Sequence, residues 1–217
     1  CSVKAGEWLF PKKIVNSSKF CVIHNAVDRE KYKYSVQKRE EIRGSMGITD
    51  QFVIGHVGNF CYQKNHYFLL DVFEEVHKKD PNTVLLLAGD GVRFEKVRQI
   101  VAEKNLEDVV KLLGRRSDTD YLYQGMDAFL LPSNFEGLPI AGIEAQSAGL
   151  PCFMSDEITK ESKITEACYF IPLKSGAKYW AEEILDNRME RQSAEFLDNA
   201  EQYDLANQDQ ELKSLIR

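Results

Sequence analysis

Residues 52–91, FVIGHVGNFCYQKNHYFLLDVFEEVHKKDPNTVLLLAGDG, hold the alternation that decides the fold. Phe52 to Val57 and Thr83 to Ala88 are short apolar runs, each followed at once by a glycine. Between them Asn65 offers a helix cap, and Tyr67, Leu70, Val72, Phe73 and Val76 keep helical spacing as far as Asp80-Pro81, where proline stops a helix. Neither apolar run alternates with polar residues. A strand that is apolar on both sides is covered on both sides, which is the condition of a parallel sheet.

The same pattern continues outward. Arg93 to Lys104 reads as a helix, Val109 to Leu113 as a strand closed by Gly114, Asp118 to Gly125 as a short helix and Ala128 to Leu131 as a strand. Pro139 to Ala148 reads as a helix, and Pro151 to Met154 and Ala167 to Ile171 as strands. Upstream, Phe20 to Ile23 reads as a short strand entering a turn, and residues 28–45 as an exposed linker and a short helix that ends near Gly44 or Gly47. Beyond Pro172 the chain reads as wholly helical and acidic, over Lys178 to Met189, Ser193 to Ala200 and Leu205 to Ile216. About six strands alternating with helices make an α/β, doubly wound, Rossmann-like parallel sheet with a helical C-terminal tail. The chain divides into three parts: an entry segment over 1–50, a ligand-binding domain over 51–175 and returning helices over 176–217.

Of 217 residues, 43% are apolar and 29% charged, an ordinary globular composition that excludes collagen-like, mucin-like and wholly disordered chains. No stretch approaches the ~18 consecutive apolar residues of a membrane span, and Cys1 to Phe10 lack the pattern of an export signal. The sequence opens on Cys1 rather than an initiator Met, so the expectation is a piece of a longer polypeptide. Net charge is −6, which argues against a nucleic-acid partner. Its distribution is uneven: residues 1–50 carry ten basic and six acidic side chains, residues 176–217 five basic and ten acidic. Five scattered cysteines without a C-x2-C pair fit free thiols in the cytoplasm, and four scattered histidines read as surface or core residues, so no metal site is expected.

In doubly wound sheets ligands lie beyond the carboxyl ends of the strands, which directs attention to four turns: Gly58 to Lys64, Gly89 to Arg93, Gly114 to Asp118 and Pro132 to Pro139. In the last of these, Pro139 is suited to the first helical position, and the Gly137 and Leu138 amides would then open a helix N-terminus that favours phosphate. Glu144 lies about one and a half turns into that helix, within reach of a diol such as ribose, and Glu136 stands ahead of it, free to face the cleft. Taken alone, both also read as solvated surface carboxylates. Lys64 opposes the helix dipole at the start of its helix, which stability does not explain and a phosphate would. The spacing is not that of a Walker loop, and Gly89-Asp90-Gly91 lacks the dinucleotide fingerprint.

The order and spacing of these turns resemble the C-terminal, donor-binding half of retaining glycosyltransferases of family 4 (group 1), which have the GT-B fold. The resemblance rests on Gly58 to Lys64, Ala88 to Gly91, Leu113 to Asp118, and the Glu136-x7-Glu144 pair leading to Ala148-Gly149-Leu150-Pro151, with Cys21 to Asp28 similar to the family's entry strand. It implies Lys64 on the donor diphosphate, the Gly137 and Leu138 amides on its distal phosphate, Glu144 on the ribose, Gly91 and the backbone near Arg116 around the nucleotide, and Glu136 beside the transferred sugar. Lys64 and Glu136 would be the catalytic pair. Where the family usually has Arg, this chain has Asn59, which leaves the diphosphate to Lys64 with help from Arg93 or Arg116. Asn65 replaces a frequent Gly.

The resemblance further implies a metal-independent transferase without a cofactor, because the nucleotide sugar, most simply a UDP-sugar, is the substrate. Its acceptor would be a polysaccharide, capsule or glycolipid precursor, bound by an N-terminal half absent from this sequence, so the chain alone should bind without transferring. The basic segment 1–50 reads as an interdomain surface or a peripheral contact with an anionic membrane. Two rivals share the fold: a binding module that has lost catalysis, favoured by Asn59, and a sugar-nucleotide epimerase.

Overall fold

The computed structural model describes residues 3–18, 20–208 and 213. Six strands, β1 (Phe52–Val57), β2 (Thr83–Ala88), β3 (Val110–Gly114), β4 (Ala128–Leu131), β5 (Cys152–Ser155) and β6 (Cys168–Ile171), form one sheet in the order β3-β2-β1-β4-β5-β6. Every ladder is parallel, with Ile54 of β1 paired to Leu85 of β2 on one side and to Ala128 of β4 on the other. The chain winds outward from β1 in both directions, so the switch point lies between β1 and β4.

Period-two geometry divides each strand between two cores. Val53, Val84, Leu86, Phe129 and Leu131 face one, with Ile42, Leu122, Tyr123 and Ile143 of the helices α4 (Val36–Ser45), α7 (Thr119–Gly125) and α8 (Ile140–Ser147). Ile54, Leu85, Leu87, Ala128 and Leu130 face the other, with Leu69, Phe73, Val97 and Trp180 of α5 (His66–Lys79), α6 (Phe94–Glu103) and α9 (Gly176–Asp186). All six residues of β2 are buried, as a doubly covered strand requires. Trp180 is wholly buried, donates its indole N–H to the Pro172 carbonyl at 3.0 Å, and fastens α9 to Phe68 of α5 at a ring separation of 5.6 Å. Upstream lie α1 (Val3–Leu9), α2 (Lys12–Val15) and α3 (Arg29–Tyr32). Among the described residues no helix is long and apolar enough to cross a membrane.

Four expectations about elements are corrected. Phe20 to Ile23 form no strand: the β pairing beside them is an isolated parallel bridge, Val27 with Asp204, and the segment joins no ladder of the sheet. Residues 193–200 form no α-helix. Phe196 makes an antiparallel bridge to Thr165, the Leu197 amide donates to the Ile164 carbonyl at 2.9 Å, and a 3-10 helix covers Asp198–Tyr203 with Ala200 and Tyr203 buried. Backbone partners on the domain thus replace the intrahelical bonds. Helical turns resume over 205–208, while much of the expected helix to Ile216 lies outside the described residues. Asn65 starts α5 by its backbone rather than by a side-chain cap, in the left-handed region at φ 55. Pro139 caps α8 in an extended conformation, ψ 106, and Ile140 is the first helical residue.

The basic entry segment and the acidic tail meet. The Arg29 guanidinium donates to Asp204 at 2.7 Å and to Glu201 at 3.0 Å, and its plane lies 4.5 Å from the Phe196 ring centroid.

Candidate functional site

The turns after β1 and β4 stand side by side at the switch point. They are joined by backbone and side chain: the Asn134 amide donates to the Gln63 carbonyl at 2.8 Å, and the Asn134 side chain to the Tyr62 carbonyl at 2.7 Å. Above them Lys64 Nζ meets Glu136 Oε1 at 2.5 Å, with only 15% and 8% of the two side chains exposed. Gln63 Nε2 donates to Glu136 Oε2 at 2.9 Å, and Ser133 Oγ to Oε1 at 3.0 Å. Glu136 is therefore neither a solvated surface carboxylate nor free in the cleft: three donors hold it.

The left-handed Asn65 explains its substitution for glycine, since Asn is among the few residues that tolerate this region. Gly58 explains the path of Lys64: a Cβ there would stand 3.1 Å from Lys64 Cε and 3.0 Å from His56 Nε2, so the bare backbone leaves room for the lysine stem. Gly89 serves the same packing from β2, at φ 144, where a Cβ would come within 1.9 Å of the Gly58 carbonyl oxygen. The Gly89-Asp90-Gly91 loop thus seats directly on the β1 turn, and the Phe60 amide donates to the Asp90 carbonyl at 2.9 Å.

Two open cavities lie at these turns, one beside Glu136 and one at the turns after β1 and β2. One, of about 520 Å3, is lined by Phe135, Glu136, Gly137 and Glu157 with Ala5 and Trp8 of α1. The other, of about 590 Å3, is lined by Asn59, Cys61, Gly89, Gly91 and Arg115, among others. Asn59 and Gly91 are thus brought together, as are Glu136 and Gly137, with Leu138 packed behind them against the core. Arg116 is exposed and turned to its neighbour Asp118, at 2.6 Å. Arg93 lies over the rings of Tyr62 and Tyr67, 5.1 Å from each centroid. Of the cations beside the turns, Arg115 is the one that lines the Asn59 cavity.

Glu144 is half-buried rather than a solvated surface carboxylate. Tyr32 Oη donates to its Oε1 at 2.7 Å and Tyr123 Oη to its Oε2 at 2.9 Å, so both oxygens are engaged by residues that the sequence reading did not single out. Burial pushes the Glu144 carboxyl above its ordinary value, and the two phenols oppose that push. Tyr123 and Tyr32 are shifted upward in turn, first by burial and then by the carboxylate beside them.

Beneath Lys64 lie two buried histidines. His56 Nδ1 is 2.8 Å from the Leu130 carbonyl, which can only accept, so the proton is on Nδ1 and Nε2 is left without a partner. His66 stacks on Phe60 at 4.1 Å and has neither nitrogen bonded. Burial, reinforced by the Lys64 charge, lowers His66 to about 4, and burial with the His66 charge takes His56 well below its ordinary value. Among the described residues no group of three or more His, Cys, Asp or Glu side chains is placed to hold a metal ion.

This geometry has close relatives. The chain is 34% identical over 162 residues to a putative glycosyltransferase, EpsF, of Bacillus subtilis (strain 168), covering 74% of this chain and 42% of that protein. It is 33% identical over 146 residues to the UDP-Gal:alpha-D-GlcNAc-diphosphoundecaprenol alpha-1,3-galactosyltransferase of Escherichia coli, covering 65% of this chain and 38% of that one. It therefore spans about two fifths of the length of the curated relatives that it matches. Among solved structures, Anabaena Alr3699/HepE in complex with UDP superposes with a TM-score of 0.75 at 21% identity, over 90% of this chain and 57% of that one. The fold is thus one Rossmann-like half of a GT-B architecture. The family described as glycosyl transferases group 1 matches residues 38–203, from α4 through the 3-10 helix of the tail, and the chain belongs to that family.

Proposed function

We propose that the chain is the donor-binding half of a retaining, metal-independent glycosyltransferase, which moves a sugar from a nucleoside diphosphate sugar, in the first instance a UDP-sugar, to a polysaccharide or glycolipid precursor held by the rest of the enzyme. The observation that carries this reading is the buried Lys64–Glu136 pair spanning the switch point, where doubly wound sheets take their ligands. An ammonium has three donors, so Lys64 can keep Glu136 and still offer hydrogen bonds to a diphosphate. Charge builds on that diphosphate as the sugar–phosphate bond breaks, and a fixed cation in a water-poor site stabilises it where it forms. The Gly137 and Leu138 amides, ahead of α8, would share that charge. Glu136 would accept from hydroxyls of the transferred sugar, Glu144 from the ribose, and Asn59, Gly91 and the backbone near Arg116 would border the nucleotide. The UDP complex of the HepE relative and the UDP-Gal donor in the name of the Escherichia coli relative support the choice of uridine. Buried thiols at Cys152 and Cys168 accord with a reducing, cytoplasmic setting.

Calorimetric titration of the chain with UDP, with and without EDTA, tests the reading. Binding that persists in EDTA and is lost in Lys64→Met is the expected result. Binding that disappears on chelation would refute metal independence, and a Lys64→Met variant with undiminished affinity would refute the role of Lys64.

A further inference from the structure

Glu144 sits in a setting that neither its helix nor its burial accounts for. Its two oxygens are held by one phenol each, from elements far apart in the chain: Tyr32 at the end of α3 and Tyr123 in α7. The two rings meet edge to face at 5.8 Å, and Tyr123 also packs edge to face on Phe129 of β4 at 5.7 Å. The phenols thus have fixed positions before any ligand arrives. A carboxylate oxygen accepts two hydrogen bonds, so each oxygen of Glu144 keeps one acceptor site.

We propose that Tyr32 and Tyr123 are positioning residues that set ribose specificity: by holding the Glu144 carboxylate plane from both sides they leave one acceptor site on each oxygen, paired to receive the two hydroxyls of a vicinal diol. The proposal rests on the reading that Glu144 faces the ribose of the donor. A glutamate on its own stem would have to be ordered as the ligand binds, and that entropy would be taken from the affinity; here the ordering is already done. A 2′-deoxyribose offers one hydroxyl to a site built for two and leaves a buried acceptor unmatched, which discriminates strongly.

The other charged groups at this carboxylate are Lys31 of α3, which favours its ionised form, and Asp120 of α7, which disfavours it; Lys31 lies 3.6 Å from Asp120. Removing the Tyr32 hydroxyl leaves both in place and takes away one of the two donors that oppose burial. The carboxyl then protonates at a higher pH, and the acid limb of nucleotide affinity moves up with it.

The test is calorimetry of the chain with UDP and with 2′-deoxy-UDP, across pH, in the wild type, Tyr32→Phe, Tyr123→Phe and Glu144→Gln, with thermal melts to show that each is folded. The wild type should prefer UDP by about tenfold or more, and either phenylalanine variant should lose most of that preference. In Tyr32→Phe the acid limb should also move to higher pH. A wild-type preference that survives in a folded Tyr32→Phe or Tyr123→Phe variant would overturn the proposal. A wild type without the preference, or a Glu144→Gln variant that keeps it, would overturn the ribose reading itself and this inference with it.

Discussion

Replacing Lys64 by Met keeps the stem that crosses Gly58 and removes the charge. Glu136, 8% exposed, then loses its counter-ion and keeps Gln63 and Ser133 as neutral donors. Removing one partner of a buried pair costs about 3–5 kcal/mol, and the two remaining donors place this case near the lower end, about 3 kcal/mol. For a chain of this length that corresponds to a fall in Tm of roughly 6–12 °C. Glu136→Gln should cost less, about 1 kcal/mol, because a lysine stem can swing its ammonium to water while a carboxylate on the turn cannot. The double variant leaves no buried charge and should recover about 2 kcal/mol of the summed losses. Urea unfolding of the four proteins gives the coupling directly. Single-variant losses that simply add, or a Lys64→Met variant within about 0.5 kcal/mol of the wild type, would refute the claim that this pair is buried and mutually dependent.

Two further outcomes are expected. Gly89→Ala places a Cβ within 1.9 Å of the Gly58 carbonyl oxygen at φ 144, so it should cost more than about 3 kcal/mol, or fail to yield folded protein, as read by the urea midpoint. For His66, the native ring titrates at about 4 and the unfolded ring at its ordinary 6.5, so the unfolded chain binds the proton first as pH falls. Stability should therefore drop between pH 6.5 and 4 and level off below, by at most roughly 3 kcal/mol from this group, and a His66→Phe variant should lack that component.

The unbroken apolar runs of β1, β2 and β4 announced a doubly covered sheet, because nothing else buries every residue of TVLLLA or AFLL. The helix α5 announced itself by spacing. Phe20 to Ile23 showed the limit of that logic: an apolar run marks a strand only where a neighbour is free to pair with it. Asn65 carried two meanings in one residue type, a capping side chain and a tolerance for left-handed backbone, and local sequence could not choose between them. Glu144 drew attention by its place in α8, and Lys64 and Glu136 because they sit in turns whose place in such a sheet is fixed. Their burial was not, since it depends on Gln63, Ser133 and the opposing turn. The phenols on Glu144 were further out of sight: Tyr32 and Glu144 are separated by 112 positions, and only the packing of α3 on α8 brings them within 2.7 Å.

The clasp between Arg29 and the pair Glu201 and Asp204 gives the fold an order of completion during synthesis. A chain leaves the ribosome from its N-terminus, so the Lys64–Glu136 pair can close while residues beyond the sheet are still in the exit tunnel. The helix that carries Tyr32 cannot be anchored by Asp204 until translation has gone 175 residues past Arg29. The Lys64 side of the switch point can thus be assembled on a nascent chain, whereas the clasp on α3 waits for the tail. A premature stop shortly before Asp204 would leave a folded sheet with an intact Lys64 turn and an α3 that keeps Tyr32 on Glu144 but lacks its clasp at Arg29.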